Sequence, residues 1–113
     1  MSHSFTPGPW HNFGRQPSVA GLPHSAVGAK TLLARVYSEA YGDDAQETAN
    51  ARLIAAAPDL LEALQWYEAK AVQMGRAAIH QDSKLMLALM KEIAVEYGAQ
   101  ARAAIAKATG EQP

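Results

Sequence analysis

The chain has 113 residues, the length of one domain, with ten Lys and Arg against eleven Asp and Glu and a net charge of −1. It has no cysteine, which excludes disulfides and thiolate metal sites. The near-neutral, evenly mixed charge excludes the basic stripe on which sequence-independent nucleic-acid binding depends. Hydrophobic residues make up 49%, but many are alanine and aromatics are only 7%. Each buried residue then removes little area from water, so stability is expected to come partly from self-association. The amino terminus lacks a basic segment leading into an apolar core and does not read as a signal peptide. No apolar run approaches the roughly 20 residues that span a bilayer, and a cytoplasmic protein is expected.

Residues 1–113 read as a single domain, with a β or irregular part over 1–43 and a helical part over 44–110. In the first part Pro7, Pro9, Pro17 and Pro23 alternate with glycines 8, 14, 21, 28 and 42, a density that forbids a long helix. Trp10-His11-Asn12-Phe13 alternates weakly and is read as a first strand, and Ser25–Ala29 as a second. Thr31–Tyr37 is the best strand, with β-branched and aromatic residues bounded by glycine-containing segments. A small antiparallel sheet of two or three strands follows, with a long, mobile connection over 14–24.

At Tyr41-Gly42-Asp43-Asp44 the character changes. Asp43 or Asp44 is a helix cap, and Glu47, three residues after Asp44, completes a capping-box-like pair. Ala45, Ala49, Leu53 and Ala56 share one helical face. Pro58 cannot continue this helix, but it fits the first turn of the next, with Asp59 well placed at that terminus. A short break near 56–58 is therefore expected. The next helix carries Leu60, Leu61, Leu64, Tyr67, Ala71 and Met74 at helical spacing; it weakens near Gly75, or runs on through Ile79, and ends before Asp82. Asp82 or Ser83 caps a last helix with Met86, Met90, Ile93, Tyr97, Ala101 and Ile105 on its stripe, stopped by Gly110. The fold class is thus α+β: a small N-terminal antiparallel sheet packed on a C-terminal α-helical hairpin, with a short helix before Pro58 and Leu53, Leu60, Leu61 and Leu64 in the core.

No catalytic set assembles from these residues. His3, His11, His24 and His80 lack metal-ligand spacing and read as solvated or loop histidines. Glu92 and Glu96 sit one turn apart but off the apolar stripe, so they read as surface charge, as do Lys84 and Lys91. No serine occupies a Gly-x-Ser-x-Gly elbow, and no glycine-rich phosphate loop is present. No metal, no cofactor and no enzymatic activity are expected. Trp66 and Tyr67 are adjacent and cannot both face one core; packing under the sheet or at an interface is the plain reading, and a stacking platform the functional one. Arg52 has the chemistry to hold a phosphate or carboxylate, and Asn50 to bond a base or a backbone edge. Their plainer roles are a pairing of Arg52 with Asp59 or Glu47 and a hydrogen bond from Asn50 to the sheet.

Three segments carry a resemblance. Thr6-Pro7-Gly8-Pro9-Trp10, followed by the strand-like 31–37 and the run 49–64, Ala-Asn-Ala-Arg-Leu-Ile-Ala-Ala-Ala-Pro-Asp-Leu-Leu-Glu-Ala-Leu, resembles a family of short bacteriophage and prophage proteins. The resemblance implies a phage accessory product in the host bacterial cytoplasm, neither a virion structural protein nor a replication enzyme. Such proteins commonly act by binding. The expected role is counter-defence as a homo-oligomer, sequestering a nucleotide immune signal such as a cyclic nucleotide or blocking a host defence complex; the alternative is a phage regulatory or nucleic-acid-associated module. A ligand pocket between subunits would draw on Asn50, Arg52, Arg35 and Trp10.

Overall fold

Three short strands and four helices follow one another in the computed structural model, which describes residues 4–16, 23–37 and 44–111. Strands β1 (His11–Gln16), β2 (His24–Gly28) and β3 (Leu32–Val36) form an antiparallel sheet in the order β1-β2-β3. The helices are α1 (Asp44–Ala55), α2 (Ala57–Ile79), α3 (Ser83–Glu96) and α4 (Ala99–Thr109). The fold is α+β as expected. The sheet rests on α1, the short helix before Pro58; α1 packs on α4, and α4 packs in turn on α2. The α2–α3 hairpin is thus tied to the sheet through α1 and α4.

Pairing register decides which side chains meet α1. Ser25 lies opposite Arg15 and Val36, and Val27 opposite Ala34. Alternation turns this set towards α1 and turns His24, Ala26 and Arg35 to the other face. Val27 and Val36 then close a core with Ala51 and Ala55, and Trp10, Ala34 and Ile54 pack around it. β1 is longer than its weak alternation predicts. Gly14 takes φ +82° beside a bulge, and its N–H donates to Asn12 Oδ1 at 2.9 Å. Residues 14–16 and 24 of the expected mobile connection are therefore paired strand residues; 17–22 lie outside the described residues.

The buried face of α1 is not the expected one. Ala45, Ala49 and Leu53 are exposed, Ala56 of the expected face is buried just past the helix end, and within α1 it is Glu47, Ala51 and Ala55 that are buried. Alanines four apart allow the helix backbone to come close to the sheet, whereas a leucine in the same place would hold it off. Glu47 is consequently no capping-box partner: its Oε2 accepts from Ser25 Oγ at 2.8 Å inside the core. Asp44 pairs instead with Arg15, and Asp43 lies outside the described residues. The break at Pro58 falls where expected, with Ala56 as the turn and Pro58 in the first turn of α2. That helix runs straight through Gly75 to Ile79.

Asp82 caps α3, its Oδ1 accepting from Leu85 N–H at 3.0 Å. The single last helix expected after it is in fact two. Tyr97 (φ 53°) and Gly98 (φ 71°) both adopt the left-handed conformation, which ends α3 and starts α4. Glu96 holds this corner, accepting from Gly98 N–H at 2.8 Å and Gln100 N–H at 2.6 Å, two of the donors that the first turn of α4 leaves without helical partners. The break rotates the stripe, so Tyr97 and Ile105 are exposed, as is Met90. The molecule measures 63 × 29 × 21 Å with a radius of gyration of 18.8 Å, well above the ~13 Å of a compact domain of this length. The hairpin accounts for the long dimension, since α2 alone extends over about 35 Å.

Candidate functional site

The four residues expected to form a pocket do not come together within one chain. Trp10 belongs to the core, packed on the Val27–Ala51 cluster, and its Nε1 donates to the Thr6 carbonyl at 3.0 Å. Arg35 is exposed on the face of β3 turned away from α1. Arg52 lies against Gly110, its guanidinium 2.7–2.8 Å from where a Cβ would stand; a cation is favoured there, at the C-terminal end of α4. Asn50 is exposed on α1. Among the described residues no hydrogen bond or ion pair joins any two of the four, and the plainer roles are not seen either. Asp59 takes Lys107 at 2.7 Å, and Glu47 takes Ser25 with Arg15 Nε at 4.0 Å.

Segments 6–10 and 49–64, the first and last of those that carry the resemblance, pack on one another. A Cβ on Gly8 would stand 2.8 Å from Cβ of Pro58, so the first segment lies directly on the proline of the last. Trp10 packs on the cluster that holds Ala51 and Ala55. Each segment is the other's packing partner. Beside this contact a cleft opens, lined by Thr6, Pro9, His11, Lys30 and Thr31.

Three polar features were not foreseen. Glu47 is fully buried and its Oε1 has no partner; Nδ1 of His24, also buried, has none. His24 is therefore no solvated histidine; its ring packs on Tyr37 with centroids 5.5 Å apart. Glu96 is no idle surface charge, since it accepts from the Tyr67 hydroxyl as well as from the first turn of α4. These bonds, led by that from Tyr67, hold its carboxyl below the ordinary glutamate value, and the bond to Glu96 followed by burial raises the Tyr67 phenol. Trp66 meets Tyr67 edge-on at 4.9 Å and has the Lys70 ammonium 5.3 Å above its ring, while Lys70 also pairs with Glu92. Among the described residues no cluster of three His, Cys, Asp or Glu is placed to hold a metal.

The largest feature left without a partner is apolar. Leu53 and Leu64, expected in the core, are exposed, and Leu60 and Leu61 are only half-buried. The hairpin displays Leu64 at 67%, Ile79 at 78% and Val95 at 86% exposure, with Val72, Leu85, Leu87 and Met90 also open. Single exposed leucines are ordinary, whereas this many large apolar groups left open on one projecting element are not. The periodicity of these helices signals an apolar face without saying whether this chain or another covers it. No helix among the described residues is long and apolar enough to cross a membrane.

No curated protein and no solved structure matches the chain. A family model described as Salmonella phage P22 protein Y8K6 matches residues 1–112, and the chain belongs to that phage protein family.

Proposed function

We propose that this phage protein is a non-enzymatic accessory factor that acts by binding, as a homo-oligomer in the host bacterial cytoplasm, and that its role is counter-defence. The observation that carries the binding reading is the exposed apolar hairpin, in which Leu64, Ile79, Leu87, Met90 and Val95 are each more than half open. Such a surface fits a protein partner, so blocking of a host defence complex is favoured over sequestering of a nucleotide. A phosphate ligand calls for converging cations. Here Arg15, Lys70 and Lys107 are already paired with Asp44, Glu92 and Asp59, and Arg102 donates to the Tyr97 carbonyl.

One observation supports the nucleotide version. The cleft beside Gly8 presents Lys30 and His11 with two threonines and no carboxylate. Thermal melting with cyclic nucleotides separates the two versions, because a ligand that binds only the folded chain raises its melting temperature. An unchanged melting temperature supports protein blocking. A rise of several degrees that Lys30→Ala abolishes transfers the role to that cleft. The counter-defence role itself is read from plating efficiency on hosts carrying single defence systems, which expression of the protein should raise for at least one system. No gain on any of them overturns that role.

A further inference from the structure

We propose that α2 is the surface of self-association: its outward face pairs antiparallel with the same face of a second copy, with the two-fold axis at Val72. The proposal rests on the homo-oligomer reading above and names its geometry. On α2 the buried residues are Ala63 and Ala77. At 100° per residue, Leu64, Glu68, Val72, Gly75, Arg76 and Ile79 fall within roughly a third of the circumference on the opposite side. All six are exposed.

The order of these residues suits a second copy. A two-fold interface brings one patch against itself, so the patch must complement its own reversal. Val72 is the centre. Glu68 precedes it by four residues and Arg76 follows it by four, so antiparallel pairing sets Glu68 against Arg76 of the partner subunit, twice by symmetry. Among the described residues, neither Glu68 nor Arg76 forms an ion pair. Leu64 precedes Val72 by eight residues and Ile79 follows by seven, which places Leu64 beside the partner's Ile79. Large apolar groups thus flank the crossing, and an opposite charge pair lies on each side of it.

Gly75 supplies an independent argument. It stands inside a 23-residue helix, where glycine costs about 1 kcal/mol relative to alanine. A Cβ at this position would meet nothing within 4 Å, so packing within the chain does not require the glycine. The close approach of a second helix does. With Ala71, also exposed, it puts small residues at the crossing, where two backbones come nearest.

The chain contains no cysteine, so Val72→Cys introduces a unique thiol on the proposed axis. Under mild oxidation it should form a disulfide-linked dimer, while Val95→Cys, at an 86% exposed position on α3, should remain uncrosslinked. Glu68→Arg and Arg76→Glu should each weaken association about tenfold by setting like charges opposite one another, and the double exchange should restore it. Melting curves of every variant show whether the fold is intact. A wild-type dimer that Val72→Cys does not crosslink and the charge exchange does not restore leaves the homo-oligomer standing and overturns this surface. A wild-type chain that sediments as a 12.1 kDa monomer at all concentrations overturns both.

Discussion

Gly8 lies so close to Pro58 that an added Cβ would stand 2.8 Å from Cβ of the proline ring. The segments 6–10 and 49–64 are therefore locked to one another at a position where one residue has no side chain. Gly8→Ala must push the amino-terminal segment off α2 and should destabilise the fold by about 1–2 kcal/mol, read as a lower urea midpoint. Adding Pro58→Ala should make the double variant less costly than the sum of the two single changes. Strict additivity would show that the contact does not constrain the fold.

Ser25 and Glu47 form the polar link between sheet and α1. Ser25→Ala leaves both carboxylate oxygens of a fully buried glutamate without a hydrogen bond, since Arg15 is 4.0 Å away. The expected loss is about 2 kcal/mol in urea unfolding. Exchanging both groups, as Ser25→Ala with Glu47→Leu, removes the buried carboxyl together with the hydroxyl that donates to it and should recover most of that loss.

The Tyr67–Glu96 bond sets the pH limits of the α3–α4 corner. The Glu96 carboxyl titrates below the ordinary 4.5, chiefly because Tyr67 and then the Gln100 N–H donate to it. A depressed carboxylate contributes stability that is complete above the ordinary value and is lost as pH falls through the depressed one. The Tyr67 phenol is raised above 10.0, so its contribution is complete below that value and is lost as pH rises through the raised one. Glu96→Gln should flatten the acid limb of the melting-temperature profile. An acid limb identical to wild type contradicts the assignment.

The corner itself rests on two left-handed residues. Gly98→Ala forces a Cβ into φ +71° and should cost about 1 kcal/mol. Tyr97→Gly relieves the same penalty at φ 53° and should raise the melting temperature, provided that the Arg102 guanidinium, 5.3 Å from the ring, contributes less than the strain. Thermal melts of the two variants should therefore move in opposite directions.

These contacts separate what local chemistry announces from what only the assembled fold decides. The strand character of 31–37, the change at Asp44, the Pro58 break and the Asp82 cap each follow from residues with strong conformational demands, and each is found. The Tyr97–Gly98 break is masked because tyrosine rarely takes a left-handed conformation and the flanking alanines favour unbroken helix. Alanines also hide which face of α1 is buried: with small residues on several sides, periodicity pointed to Leu53, whereas the sheet takes Ala51 and Ala55 and draws Glu47 into the core. Asn50, Arg52, Arg35 and Trp10 were singled out by chemical type. Type does not report that Trp10 packs on the core cluster or that Arg52 covers the end of α4.

Association through the exposed hairpin is decided by sedimentation equilibrium of the wild-type chain beside Gly75→Leu. The wild type should approach twice 12.1 kDa as concentration rises. Gly75→Leu should shift the equilibrium to monomer, since leucine favours the helix and its Cβ meets nothing within 4 Å in its own chain, while its bulk blocks the crossing. A wild type that stays monomeric at every concentration, or a Gly75→Leu variant that assembles as well as wild type, contradicts the account.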